Sequence, residues 1–217
     1  MSLRLNVVMT AAALAAAATP AAADVLSMRA ELHGGGAGGV GVAGGAKDHA
    51  FSEGARGLTY GALIGAEILF VDAWIEHHQY VDSSLIGTWT QFMAGFDVDL
   101  DVGKPVLPAG AKKDAKAPRA KGYVELGLGA GFGVGTGQQV ELPLDNAQVT
   151  DKAFLIEGRF AAGWNLNRVM SLGVAVPVSY GYMFKSGPGV VANDDDNQYQ
   201  ALQAAVMVNL RFRIKLK

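Results

Sequence analysis

The chain has 217 residues, of which 50% are hydrophobic and 18% charged, with 29 glycines, no cysteine and a formal net charge of -2. That size suits one domain, the glycines argue against a helical bundle, and the absent thiols exclude disulfides and a lipid-modified N-terminal cysteine. The near-neutral charge offers no basic field for nucleic acid or anionic lipid, and no later segment has the apolar run of a membrane helix.

Residues 1–23 read as a cleaved secretory signal peptide. Arg4 is a short positive region, Leu5 to Ala18 an apolar stretch too short to span a bilayer, and Ala21-Ala22-Ala23 a small-residue cleavage site. Residues 24–217 are then the mature domain.

Alternation at period two, which sends successive side chains to opposite faces of a strand, runs through the rest. Leu26, Met28, Ala30 and Leu32 oppose Ser27, Arg29, Glu31 and His33 before a glycine-rich continuation. Tyr60, Ala62, Ile64, Ala66, Ile68 and Phe70 oppose Gly61, Gly65 and Glu67. The phase then reverses, with Ala73 and Ile75 apolar and Asp72, Trp74, Glu76 and His78 opposite, so a tight turn is expected at Val71-Asp72 and a separate strand over 73–81. Ile86, Phe92, Ala94, Phe96, Val98 and Leu100 face away from Gln91, Gly95, Asp97, Asp99 and Asp101.

Four more strands follow. Val124, Leu126, Leu128, Phe132 and Val134 alternate with Glu125 and glycines, and Phe154, Ile156, Phe160, Ala162 and Trp164 with Glu157, Arg159 and Gly163. Leu172 to Phe184 carries a third alternation with Pro177 as its irregularity, and Leu202 to Leu216 the longest. Eight strands, an even number, suit an all-β, closed antiparallel up-and-down transmembrane β-barrel. With a periplasmic N-terminus, Val71-Asp72 and 165–168 are short periplasmic turns, 45–57, 82–84, 137–151 and 186–198 are external, and the Pro- and Lys-rich 103–118 is an unusually long periplasmic connection.

The polar face separates a membrane barrel from a soluble lipocalin-like ligand-binding barrel. It is rich in glycine, alanine and serine, as a cramped lumen would be, whereas a water-facing exterior would carry lysine, glutamate and threonine. Aromatics on the apolar face fall toward strand ends, with Tyr60, Phe154, Tyr182 and Phe184 toward one rim and Phe70, Trp164 and Phe212 toward the other, matching two interfacial girdles. Closure also leaves no unpaired strand edge in hydrocarbon.

Over essentially the whole mature sequence, this pattern resembles the small outer-membrane β-barrels of OmpA-type and OmpX-type architecture. The stretch Gly65-Ala66-Glu67-Ile68-Leu69-Phe70-Val71-Asp72-Ala73-Trp74 is similar to their strand-turn-strand segments. The resemblance implies a fold and an outer-membrane location, not an activity. The chain departs from it in ending Lys215-Leu216-Lys217, with Phe212 as the nearest aromatic, where such barrels usually finish on an aromatic residue.

The run Gly127-Leu128-Gly129-Ala130-Gly131-Phe132-Gly133-Val134-Gly135 mimics a phosphate loop but lacks the helix such a loop needs; its glycines instead make room for Trp89, Gln91 and Met93. Glu67, Asp97, Asp99, Asp101 and Glu125 are expected to meet Arg29, Arg211, Arg213 and Lys215 across the interior as a salt-bridged plug. Asp72, Glu76, His77 and His78 have metal-ligand side chains, yet adjacent histidines on a strand point to opposite faces. Asn193-Asp194-Asp195-Asp196-Asn197 is acidic but lacks the spacing of an EF-hand. His33 and His78 are read as lumenal, His49 as a loop residue beside Ser52 and Glu53, and His77 as lacking a serine on its own strand, so no hydrolase constellation emerges.

The sequence therefore nominates no catalytic, cofactor-binding or metal-ligating residue and no cofactor. Its functional expectation is a non-enzymatic outer-membrane barrel with a filled lumen, contacting outer-membrane lipid and lipopolysaccharide and meeting an extracellular ligand or surface through its loops. The alternatives are a narrow porin-like channel and a lipid-modifying outer-membrane enzyme.

Overall fold

The computed structural model describes residues 26–44, 57–81, 86–103, 122–138, 148–186 and 198–216. The signal segment, the loop containing His49, Ser52 and Glu53, the interior of the connection after Gly103 and the acidic run 193–197 lie outside the described residues.

Eight strands follow one another in chain order: β1 (Leu26–Ala43), β2 (Gly57–Ile68), β3 (Val71–Val81), β4 (Ile86–Val102), β5 (Gly122–Gln138), β6 (Gln148–Asn165), β7 (Met170–Ser186) and β8 (Gln198–Leu216). Each pairs antiparallel with its sequence neighbours, and β8 pairs with β1, so the sheet closes into an up-and-down barrel.

Pairing followed once around the wall runs from Arg29 through Gly65, Trp74, Met93, Gly131, Leu155, Gly181 and Ala201 back to Gly41. The circuit returns twelve residues further along β1. With a rise of about 3.3 Å per residue and a strand spacing of about 4.8 Å, that stagger tilts the strands by roughly 45°. Strong tilt widens an eight-stranded barrel, which gives the lumen room for several large side chains.

Alternation assigns the faces as expected. Outward, Met28, Ile64, Ile75, Phe92, Leu128, Ile156, Val174 and Val206 are exposed and belong to an apolar belt spanning all eight strands. Phe132, Phe154, Phe184 and Tyr182 meet edge to face toward one end of it, while Phe70 and Phe96 stack toward the other. Inward, Leu63, Trp74, Tyr80, Trp89, Met93, Leu155, Met183 and Tyr199 fill one part of the lumen, and Tyr123, Ala161 and Ala175 a smaller part.

The turn expected at Val71-Asp72 lies two residues earlier. Ile68 and Val71 form the last pair of the β2–β3 hairpin, leaving Leu69 and Phe70 as its two-residue loop. Leu69 has φ 60, the left-handed conformation that a two-residue hairpin loop requires at its first position and that glycine normally supplies. Asp72 is thereby freed from the turn and becomes a buried lumenal residue opposite Glu67.

The turn expected at 165–168 is at 166–169, where the Asn167 side-chain carbonyl accepts the backbone N–H groups of Val169 and Met170. Several residues assigned to external loops are strand instead: β5 runs on to Gln138, β6 begins at Gln148, and β2 begins at Gly57.

Candidate functional site

The chemistry of the molecule is concentrated on its inner face. Odd-numbered residues of β1, β4, β5, β6 and β8 point inward, as do even-numbered residues of β3, because each strand keeps one phase from end to end. That places four arginines in the lumen, all buried: Arg29 from β1, Arg159 from β6, and Arg211 and Arg213 from β8.

These guanidinium groups cross-link the wall. Arg29 pairs with Asp72 and donates to Asp97 at 2.9 Å and Glu125 at 3.2 Å. Arg211 donates to Glu31 at 2.8 Å, pairs with Glu125, and lies over the Tyr123 ring at 4.7 Å. Arg213 pairs with Asp99 and approaches Asp97 and Glu67 at 3.7 Å. Arg159 donates to Glu31 at 2.5 Å and stands 3.6 Å from Glu76. The network joins β1, β2, β3, β4, β5, β6 and β8, so it holds opposite sides of the barrel together.

Most of the anticipated plug is present, with two corrections and four additions. Asp101 and Lys215 are exposed near the ends of their strands and are not part of the buried lumen. Glu31, Asp72, Glu76 and Arg159, which sequence reasoning placed on the polar faces without assigning them to the plug, belong to its centre. Their signal was their phase; what could not be read was which residue each would meet across the lumen.

The glycine run of β5 serves packing. A Cβ on Gly129 would lie 2.3 Å from Trp74, one on Gly133 2.2 Å from Trp89, and one on Gly131 2.7 Å from the Met93 sulfur. The glycines leave space on β5 for three large side chains of the nearby strands β3 and β4.

The histidines divide as the alternation requires. His77 faces outward and its Nδ1 shares a 2.8 Å hydrogen bond with the Thr90 hydroxyl; among the described residues no carboxylate orients that imidazole. His78 faces inward, 3.3 Å from Glu76 through Nε2, and His33 reaches the same carboxylate oxygen through Nδ1 at 3.8 Å. The two rings lie 4.8 Å apart. His33 and Gly61 are register partners, and so are Gly61 and His78, so the imidazoles approach each other over a residue with no side chain.

Gln91 fixes the far side of Glu76. Its amide oxygen accepts the Trp89 indole N–H at 3.1 Å, and because an indole can only donate, the amide nitrogen must face the other way. It donates to Glu76 at 3.0 Å and Glu157 at 2.8 Å. A cavity of about 30 Å³ opens beside these groups, lined in part by Thr59, His78, Tyr80, Gln91 and Glu157.

Two groups of side chains present metal-ligand atoms within reach of one another: His33, Glu76 and His78, and Asp97, Asp99 and Glu125. The acidic trio faces Arg29, Arg211 and Arg213, which already supply its counter-charge.

No protein-family model and no curated protein matches the chain. Among solved structures it is similar to Neisserial surface protein A, with a TM-score of 0.48 and 10% identity over 88% of this chain and 97% of that one. It is also similar to the outer membrane protein OprG from Pseudomonas aeruginosa, with a TM-score of 0.39 and 10% identity over 88% and 96% of the two chains. The outer membrane protease OmpT from Escherichia coli matches with a TM-score of 0.31 and 8% identity over 87% and 97%.

Proposed function

We propose that the chain is an integral outer-membrane barrel of the small OmpA- or OmpX-type architecture that does not conduct and acts through its external loops. The carrying observation is the inversion of its two faces: the exposed exterior is apolar all round, while arginines and carboxylates are buried inside. A protein whose outside meets water has no stable reason for that arrangement, whereas a hydrocarbon surround requires it.

The filled interior supports the non-conducting reading over a narrow channel. Trp89, Tyr199, Met183 and Leu63 are each at most 1% exposed, and the arginine network spans the lumen beside them. Outer-membrane lipid and lipopolysaccharide are the partners of the belt, and the segments beyond the strand ends are the parts available to a surface ligand.

Cell fractionation combined with an unboiled-versus-boiled gel shift tests the membrane assignment, since a closed membrane barrel resists detergent unfolding until heated. We expect recovery in the outer-membrane fraction and a compact unboiled species. Recovery as soluble periplasmic protein would overturn the reading. Planar-bilayer recordings are expected to show no discrete conductance steps, and reproducible steps would replace it with the channel.

A further inference from the structure

We propose that His33, Glu76 and His78 form a binding site for a divalent transition-metal ion of the zinc class on the inner wall of the barrel. Glu76 and His78 are two residues apart on β3 and share its inward face, while His33 comes from β1, two strands away. Gly61 of β2 sits between the histidines in the same row, and a Cβ there would lie 2.7 Å from His33 Nε2. The intervening strand thus leaves open the space through which the rings converge.

The spacing suits an ion. Metal-to-ligand bonds of about 2.0–2.1 Å in tetrahedral geometry separate neighbouring donor atoms by roughly 3.3–3.4 Å. His78 Nε2 stands 3.3 Å from Glu76 Oε1 and His33 Nδ1 stands 3.8 Å from it, with all three donor atoms within 4.8 Å of one another, so small side-chain rotations would close the site. Two imidazoles with one carboxylate select a transition metal over calcium or magnesium, which prefer all-oxygen sites. The adjoining cavity of about 30 Å³ has room for a water as a further ligand.

Two independent observations point to a cation. First, two of the three donor atoms are unsatisfied: His33 Nδ1 and Glu76 Oε1 are buried without a hydrogen-bond partner, and the His33 side chain is 0% exposed. Buried polar groups normally find partners, so an unpaired imidazole nitrogen beside an unpaired carboxylate oxygen calls for one. Second, carboxyl groups gather there. Glu157 adds a second buried carboxyl group whose hydrogen-bond donor is the neutral amide of Gln91, and Arg159 is held more closely by Glu31, at 2.5 Å, than by Glu76, at 3.6 Å. Gln91 acts as a positioning residue, holding Glu76 Oε2 so that Oε1 faces the histidines.

The test uses the chain folded in detergent micelles, stripped with a chelator and titrated with zinc by calorimetry, with cobalt as a spectroscopic substitute. One equivalent of zinc is expected to bind. His33→Gln and His78→Gln should each weaken binding at least about tenfold, and His77→Gln, on the outer face, should leave it unchanged. The gel shift verifies that each variant is folded. Should either lumenal variant fail to fold, X-ray absorption on the zinc-loaded unsubstituted chain decides, with two imidazole nitrogens expected in the coordination shell. Absence of uptake, equal uptake in folded His33→Gln and His78→Gln, or an all-oxygen shell, which would place the ion on carboxylates elsewhere such as Asp97, Asp99 and Glu125, would overturn the proposal.

Discussion

At the scale of the residue, the inner wall depends on matched large and absent side chains. An added Cβ at Gly133 would lie 2.2 Å from Trp89 and 2.9 Å from Leu155, both side chains locked in the lumenal core, whereas one at Gly36 meets nothing within 4 Å. Gly133→Ala is therefore expected to destabilise the folded barrel by about 1–3 kcal/mol, as overpacking of a filled core does, and Gly36→Ala to have little effect. Urea titration of both variants in lipid vesicles checks the contrast; equal stabilities would mean that Trp89 is free to move. Charge follows the same logic. Glu31 is shared by Arg159, Arg211 and Asn209, so Glu31→Leu leaves two buried guanidinium groups short of a counter-ion and is expected to cost about 3–5 kcal/mol in the same titration. Adding Arg159→Met to it should recover part of that loss, because the second substitution removes one of the stranded charges. The room that the 127–135 glycines leave for Trp89 was legible in the sequence, whereas the contacts of Glu31 were not. Period two assigned Glu31, His33, Glu76, His78 and Arg159 to the inner face, but a face is one-dimensional information, and it does not say that Arg159 of β6 meets Glu31 of β1 or that His33 of β1 meets Glu76 of β3.

At the scale of the element, the β2–β3 hairpin shows why faces can be read while registers cannot. A turn at 71–72 and a turn at 69–70 send the same residues inward, since moving a hairpin loop by two residues preserves the phase of both strands. The cue for the later position was the reversal of phase between Phe70 and Ala73, which both loops satisfy, and an aspartate in the loop is compatible with a turn. In the structure Asp72 pairs with Arg29 across the lumen instead, and Leu69 adopts φ 60 in the loop. Tertiary ion pairing thus overrides local turn preference, at a backbone cost of about 1–2 kcal/mol for a residue with a Cβ in that conformation. Leu69→Gly should return about 1 kcal/mol of this, less a part lost to the greater freedom of glycine in the unfolded chain. A rise in the urea midpoint at unchanged slope would verify it, and a fall would mean that the outward Leu69 side chain contributes more than its strain costs. Strand ends were misplaced for a related reason: pairing with a neighbouring strand carries β5 to Gln138 and starts β6 at Gln148, and a single segment's composition cannot report its neighbour's length.

At the scale of the whole molecule, the all-β, closed eight-stranded architecture was readable because every strand repeats one message: apolar residues on one side, small or charged residues on the other. That message leaves a choice of solvent, since a soluble barrel would bury the apolar face that this chain exposes. Its three tryptophans sample both sides. Trp164 is 63% exposed on the outer surface near the 166–169 turn, while Trp74 and Trp89 are 6% and 1% exposed within the lumen. Reconstituted in vesicles whose acyl chains carry a bromine quencher, the unsubstituted barrel should lose the part of its tryptophan emission that comes from Trp164, because the quencher reaches the outer wall and is barred from the interior. Trp164→Phe should then leave emission that brominated lipid scarcely touches, with the substitution itself costing little because the ring is exposed on the outer surface. Strong residual quenching in Trp164→Phe would place Trp74 and Trp89 outside and invert the faces. Absence of quenching in the unsubstituted chain would remove the bilayer from the picture and leave the apolar belt to be covered by something else.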